Sequence, residues 1–257
     1  MLVDLHSHTT FSDGRSSHSE MVEAAIQRGI AVYGISDHLC FHDNPWTTKP
    51  HLFEDMRSTM AALKAGTSSA KILFGMEVDY VPGCESRVAL LKADNGWDYI
   101  IGSVHYLGDW NIDSNAPDWE GKDVDATYSR YLDLLEEMVD TGLYNIVGHL
   151  DLPKKYGHYS SIDLTEKYLS IGQKIKAKNM AYEINTNGRI KPCNDFYPHR
   201  TIVELYHQLG VDVTLGSDAH HRDNVGQFFD EAAAMLRAVG YTRICYFEKG
   251  EKRYLPL

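Results

Sequence analysis

Residues 2–14 read LVDLHSHTTFSDG: a short apolar run interrupted by Asp4, two histidines one position apart, then a turn-forming Ser-Asp-Gly. The same pattern returns in AVYGISDH (31–38), KILFGMEVDY (71–80), DYIIGSVHY (98–106), YNIVGHLD (144–151), AYEINTNG (181–188) and VDVTLGSDAH (211–220). Each run is rich in Val, Ile or Tyr and is short enough for a buried strand. Between the runs lie stretches with helical spacing, such as 18–29, 123–142 and 226–240, which close on glycine as a helix C-terminus does. About seven strand-then-helix repeats predict an α/β protein with a parallel sheet. A chain of 257 residues fits an α/β barrel of one domain, spanning 1–257, because such barrels commonly run to about 250 residues.

The ends of the runs carry His6 and His8, Asp37 and His38, Glu77, His105, His149, Glu183, and Asp218 and His220. In a closed βα barrel the C-terminal strand ends converge on one face, so residues distant in sequence meet in one pocket. Positions i and i+2 of an extended run point the same way, which pairs His6 with His8 and Asp218 with His220. Imidazole with carboxylate, free of thiol, suits zinc, manganese or iron. The donors outnumber what one tetrahedral ion accepts, so at least two divalent ions are expected. His18, His51, His158, His199, His207 and His221 fall in predicted helices or loops, where solvated or capping roles are expected. His42 lies in an expected active-site loop.

The segments 39–52 and 107–122 read as irregular, aromatic-containing loops at the active face, and 243–257 as a final hairpin turning near Gly250. A net charge of -11 argues against a nucleic-acid partner, which demands basic faces. No run of 18 apolar residues and no cationic leader is present, so neither a membrane span nor export is expected. Four separated cysteines without a C-x-x-C pair point to a reducing cytoplasm. Oligomeric state is not legible.

DLHSHTTFSDG, GISDH, GMEVDY, IGSVHY, GHLD, EINTNG and GSDAH together resemble, in order and over nearly the whole chain, the polymerase and histidinol phosphatase family. That resemblance implies a distorted seven-stranded, TIM-like (β/α) barrel with two or three divalent ions. GMEVDYVPG and IGSVHYLGDWNID look most like the family's monofunctional phosphatases, which hydrolyse L-histidinol phosphate in histidine biosynthesis. Carried over by position, the resemblance places one ion on His6, His8, Glu77 and Asp218, with Glu77 bridging to a second on His105 and His149. A third falls to Asp13, His38 and His220.

The expected reaction is attack of a metal-bridging hydroxide on phosphorus, Glu77 bridging the ions, with a third ion or Asp218 or His220 as general acid assisting the leaving alkoxide. Lys154 and Lys155 beyond one strand end, and Arg189 and Lys191 beyond the next, are the expected phosphate-binding groups. The family's phosphatases favour Arg in both loops; here the first has only Lys, and Arg189 stands one place off. Asp79, Tyr80, Trp110, Asp113 and Glu183 are candidates for the ammonium and imidazole of the substrate, Glu183 foremost because it ends a strand. Another small phosphate ester, a nucleotide or a phosphotyrosyl protein are the alternative substrates. A non-enzymatic metal-binding module would lack ligands, whereas every expected position here holds a competent residue.

Overall fold

Every apolar run becomes a strand, and most strands hand the chain to a helix packed outside the sheet. The computed structural model describes residues 2–42, 44–94 and 96–257; Asp43, inside the expected 39–52 loop, lies outside the described residues. In chain order the first half contains β1 (Leu2–Asp4), α1 (His18–Gln27), β2 (Ile30–Ile35), β3 (His38–Leu39), α2 (Phe53–Gly66), β4 (Lys71–Asp79), α3 (Glu85–Ala93) and β5 (Tyr99–Ser103). There follow β6 (Tyr106–Leu107), β7 (Trp110–Asn111), α4 (Val124–Thr141), β8 (Ile146–Val147), α5 (Thr165–Ala177) and β9 (Ala181–Asn185). The chain ends with α6 (Arg200–Leu209), β10 (Asp212–Gly216), α7 (Phe229–Val239), β11 (Arg243–Glu248) and β12 (Glu251–Pro256).

Seven parallel strands run in the order β1-β2-β4-β5-β8-β9-β10, with β3 beside β4. Backbone bonds from Leu5 N–H to the Leu215 carbonyl (3.1 Å), Asp218 N–H to His6 (2.7 Å) and His8 N–H to Ala219 (2.9 Å) join β1 to β10. The result is the expected nearly closed α/β barrel, ringed among the described residues by seven α-helices. Local chemistry sets the helix ends. Ser17 and Glu20 form a reciprocal capping box on α1, and Asp123 accepts the Ala126 N–H at the start of α4, which ends on left-handed Gly142.

The interior is packed, not hollow. The Tyr99 ring lies against Gly34 and Gly75, where any Cβ would overlap it, and its hydroxyl donates to the Leu5 carbonyl at 2.6 Å. Burying such a ring contributes about 2 kcal/mol. At the opposite end from the site, β11 and β12 form the expected hairpin. Its Lys249 and Gly250 N–H groups donate to Asp98, just before β5, and Lys252 pairs with Asp212 at the start of β10. The hairpin therefore closes the N-terminal end of the barrel.

The segment 107–122 departs from the irregular loop expected. β6 and β7 pair as a short antiparallel ribbon and Ala116–Trp119 forms a 3-10 turn. Trp119 supplies the reason: it is 4% exposed, donates from Nε1 to the Ile112 carbonyl and packs edge-on against Trp110. Among the described residues, no helix is long and apolar enough to cross a membrane.

Candidate metal centre

The bonds that close the barrel continue past the strand ends, so the HSH of 6–8 and the SDAH of 217–220 run side by side, with Ser7 bridged to Ala219. The i, i+2 alternation then turns His6, His8, Asp218 and His220 into one cup. Asp218 (φ +49°) and His149 (φ +36°) occupy the left-handed region, a strained choice for a residue with a side chain. Asp218 is held there by its N–H bond to His6, and His149 by the Tyr131 hydroxyl, which donates to its carbonyl at 2.9 Å.

Glu77 sits at the centre and is 1% exposed. Its Oε2 faces His38 Nδ1 (2.6 Å), His6 Nε2 (3.3 Å) and His8 Nε2 (3.7 Å). Its Oε1 faces His149 Nε2 (3.1 Å) and His105 Nε2 (3.9 Å) and accepts from Ser103 Oγ (2.6 Å). One carboxylate thus shares its two oxygens between two donor groups. Asp218 Oδ1 completes the first, 3.2 Å from His8 Nε2 and 3.8 Å from His6 Nε2. Asp13 Oδ1 lies 3.5 Å from His38 Nε2 and 3.3 Å from His220 Nε2, and His8 joins this third group. In each of three sets (His6, His8, Glu77; Glu77, His105, His149; His8, Asp13, His38, His220) the donor atoms all lie within 4.8 Å of one another. All nine expected ligands therefore converge, and His8 stands between two sets where the family pattern assigns it to one.

Carboxylates behind the rings fix their orientation. Glu183 accepts from His6 Nδ1 at 2.9 Å, Asp79 pairs closely with His105 Nδ1, and the Asp218 carbonyl faces His220 Nδ1 at 3.0 Å. Asp37 takes no place among the donors. It accepts from Thr9 N–H (2.6 Å), Thr9 Oγ1 (2.8 Å) and Ser12 Oγ (2.6 Å), tying down the loop that carries Asp13.

The electrostatics are those of charges forced together. Burial alone would push Glu77 up, but His6 and His38 hold it well below the usual carboxylate range. Burial opposes charge on His6, yet Glu183, Glu77 and Asp218 raise its pKa well above that of free imidazole. Burial with neighbouring His38 and His220 lowers His8 to about 4, while burial of His105 is outweighed by Asp79, lifting it to about 10. Among the described residues His8 Nδ1 is buried with no hydrogen-bond partner, while His6 Nε2, His8 Nε2 and Glu77 Oε2 are buried facing only one another, Asp218 and His38. Unpaired buried polar atoms are costly, and lone pairs aimed at a common point are satisfied by a cation, so the residues fit divalent metal.

The centre opens into a cavity of about 520 Å³ whose wall includes Arg15, Trp46, Asn111, Asp113, Lys155 and Lys191. Both expected active-face loops contribute to it. Several expected substrate contacts do not. Lys154 is 2% exposed and turned away, its Nζ held by Asp151 (2.8 Å), Asp195 (2.7 Å) and the Phe196 carbonyl (2.6 Å). Arg189 leaves the cavity for Glu231 (3.1 Å) and the Asn194 carbonyl (2.9 Å). Glu183 lies behind His6, because mid-strand in β9 its side chain points into the barrel beneath the cavity. Asp79 is taken by His105, Tyr80 bonds Glu85, and Trp110 packs on Trp119, leaving Asp113 as the cavity-lining member of that group. His18 is buried beside Asp37 rather than solvated, while His199 and His221 do cap helical turns. Arg15, on the cavity wall, was not singled out in the sequence; a backbone bond to the distant His220 places it there.

A βα barrel with a cluster of His and carboxylate donors fit for metal at the C-terminal mouth of its strands is the class this geometry defines. Residues 4–187 match the PHP domain, and the chain belongs to that family. It is 33% identical over 247 residues to the "Probable histidinol-phosphatase" of Deinococcus radiodurans, covering 93% of this chain and 94% of that protein. It is 24% identical over 255 residues to the histidinol-phosphatase of Lactococcus lactis, covering 95% and 94%. The crystal structure of histidinol phosphate phosphatase from Lactococcus lactis, complexed with zinc, L-histidinol and phosphate, matches with a TM-score of 0.82 at 23% identity over 98% of each chain.

Proposed function

We propose that this chain is a metal-dependent phosphomonoesterase that hydrolyses L-histidinol phosphate to L-histidinol and phosphate. The observation that carries the reading is Glu77, whose two oxygens face two separate imidazole sets at the floor of an open cavity. The relatives named for this activity, aligned along nearly their whole length, support the substrate. The cavity's about 520 Å³ lies in the range of sites for small molecules.

His6, His8, Glu77 and Asp218 would hold one ion, Glu77, His105 and His149 a second, and Asp13, His38 and His220 a third with His8 in reach. Such ions, when bound, neutralise phosphoryl oxygens and lower the pKa of water. The chain's own residues do the rest. Glu183 and Asp79 hold His6 and His105 in the ring orientation that presents Nε2 to the cup. Ser103 fixes the rotation of the Glu77 carboxylate. Where no third ion is bound, His220, whose side chain is 33% exposed against 15% for Asp218, is the better placed of the two to hand a proton to the leaving oxygen. Asp113, on the cavity wall beside Lys155, is in position to receive the substrate's ammonium.

The test is metal analysis of the purified protein, followed by phosphate release from histidinol phosphate and from a panel of other monoesters under matched zinc, manganese or iron. Histidinol phosphate is expected to lead the panel, and Glu77→Gln and His149→Ala to abolish turnover. Near-wild-type hydrolysis by either variant refutes the metal-centre reading; faster hydrolysis of a nucleotide or a phosphotyrosyl peptide refutes the substrate.

A further inference from the structure

A dianionic ester approaching a chain of net charge -11 requires positive charge at the cavity itself. The cations expected for this task are committed elsewhere. Lys154 is locked between Asp151 and Asp195, and Arg189 is bound to Glu231 outside the cavity. Lys155 lines the cavity, but its Nζ is 2.7 Å from Asp113 Oδ1 and 2.6 Å from the Asp113 carbonyl.

Two cavity cations remain. Among the described residues, neither the Arg15 guanidinium nor the Lys191 ammonium has a hydrogen-bond or ion-pair partner. Their backbones are nonetheless held. Arg15 N–H donates to the His220 carbonyl at 2.7 Å, which seats the residue beside the third donor set, and Lys191 N–H donates to Gly188 at 3.1 Å. Arg15 follows β1 and Lys191 follows β9, the two strands that flank β10 in the closed barrel, so the pair stands on either side of the loop carrying Asp218 and His220.

Resting on the phosphomonoesterase reading, we propose that Arg15 and Lys191 form the phosphate clamp of this site, binding the non-reacting oxygens of the ester. Arg15 supplies the planar fork that pairs two oxygens at once, and Lys191 a mobile point charge. The clamp replaces the arginine that Arg189 would have provided had it not turned to Glu231.

The experiment measures binding of inorganic phosphate to the metal-loaded protein by calorimetry, alongside kcat and KM for histidinol phosphate, in R15Q, R15K, K191Q and R189Q. Metal content is determined for each variant. The clamp predicts that R15Q raises the phosphate Kd about tenfold, the loss of one charge-assisted pair at a solvent-facing site. KM should rise in parallel, kcat and metal content should stay near wild type, R15K should recover part of the loss, and R189Q should match wild type. Phosphate binding within twofold of wild type in both R15Q and K191Q overturns the proposal, as does a tenfold loss confined to R189Q. A wild-type protein that cleaves another monoester but not histidinol phosphate refutes the substrate while leaving the phosphate measurement intact; in that case a tenfold loss in R15Q still supports the clamp.

Discussion

Replacing Lys154 by Met tests whether this lysine is a structural ion rather than a phosphate ligand. Its Nζ lies within 2.8 Å of three oxygens, from Asp151, Asp195 and the Phe196 carbonyl, and the residue is 2% exposed. Burial opposes its charge, but the carboxylates of Asp151 and Asp195 outweigh that and raise its pKa. Removing one partner of a buried pair leaves an uncompensated charge, at about 3–5 kcal/mol. Two features place this case at the lower end. The Asp195 side chain is 29% exposed and regains water, and burial already raises the pKa of Asp151, which can take up a proton. The expected loss is therefore about 3 kcal/mol. Urea denaturation at pH 7 should show a lowered midpoint with unchanged slope, while the folded variant keeps its kcat/KM and phosphate affinity. The double variant Asp151→Asn, Lys154→Met should regain part of the loss. A K154M protein of wild-type stability whose phosphate affinity falls tenfold would refute this reasoning and restore Lys154 to the substrate site.

Glu183→Gln keeps the shape behind His6 but removes the carboxylate that fixes its ring, so zinc affinity measured by chelator competition should fall about 10–100-fold with little change in melting temperature; unchanged affinity would mean that Glu183 does not orient His6. Glu136 on α4 accepts from Lys167 (2.6 Å), Ser170 (2.5 Å) and Lys174 (3.0 Å). Burial works against its charge, but these partners prevail and lower its pKa from 4.5 to about 2. Because the folded pKa lies below the unfolded value, the stabilisation is full above pH 4.5 and is lost as pH falls towards 2. After solvent screening it is worth about 1 kcal/mol. Glu136→Gln should therefore be less stable than wild type at pH 7 and nearly equal to it near pH 2.5; an equal gap at both pH values would contradict the assignment.

The donor cluster was legible because most of its members are written at strand ends in a repeated grammar. Periodicity gives the strands, the barrel rule brings their ends together, and the alternation in HSH and SDAH selects the inward residues. The basic residues were less legible. Lys154 and Lys155 are adjacent in sequence, yet one is sealed among carboxylates and the other reaches the cavity, because a single 3-10 turn at Leu152–Tyr156 sends them in different directions. Arg15 escaped notice for the opposite reason. Nothing in its own neighbourhood marks it, and its place follows from a backbone bond to His220, 205 residues away in the chain.

The sequence by itself therefore determined the strand-and-helix alternation, the nine donors and the final hairpin, since each depends on local spacing and residue chemistry. Only the tertiary structure decided which charges remain free to meet a substrate. Glu183 became a support for His6, Arg189 the partner of Glu231, and Arg15 and Lys191 the cavity cations without partners among the described residues. The physical reason is that a charge's availability depends on what folding brings within about 4 Å of it, and those partners come from loops far apart in the chain.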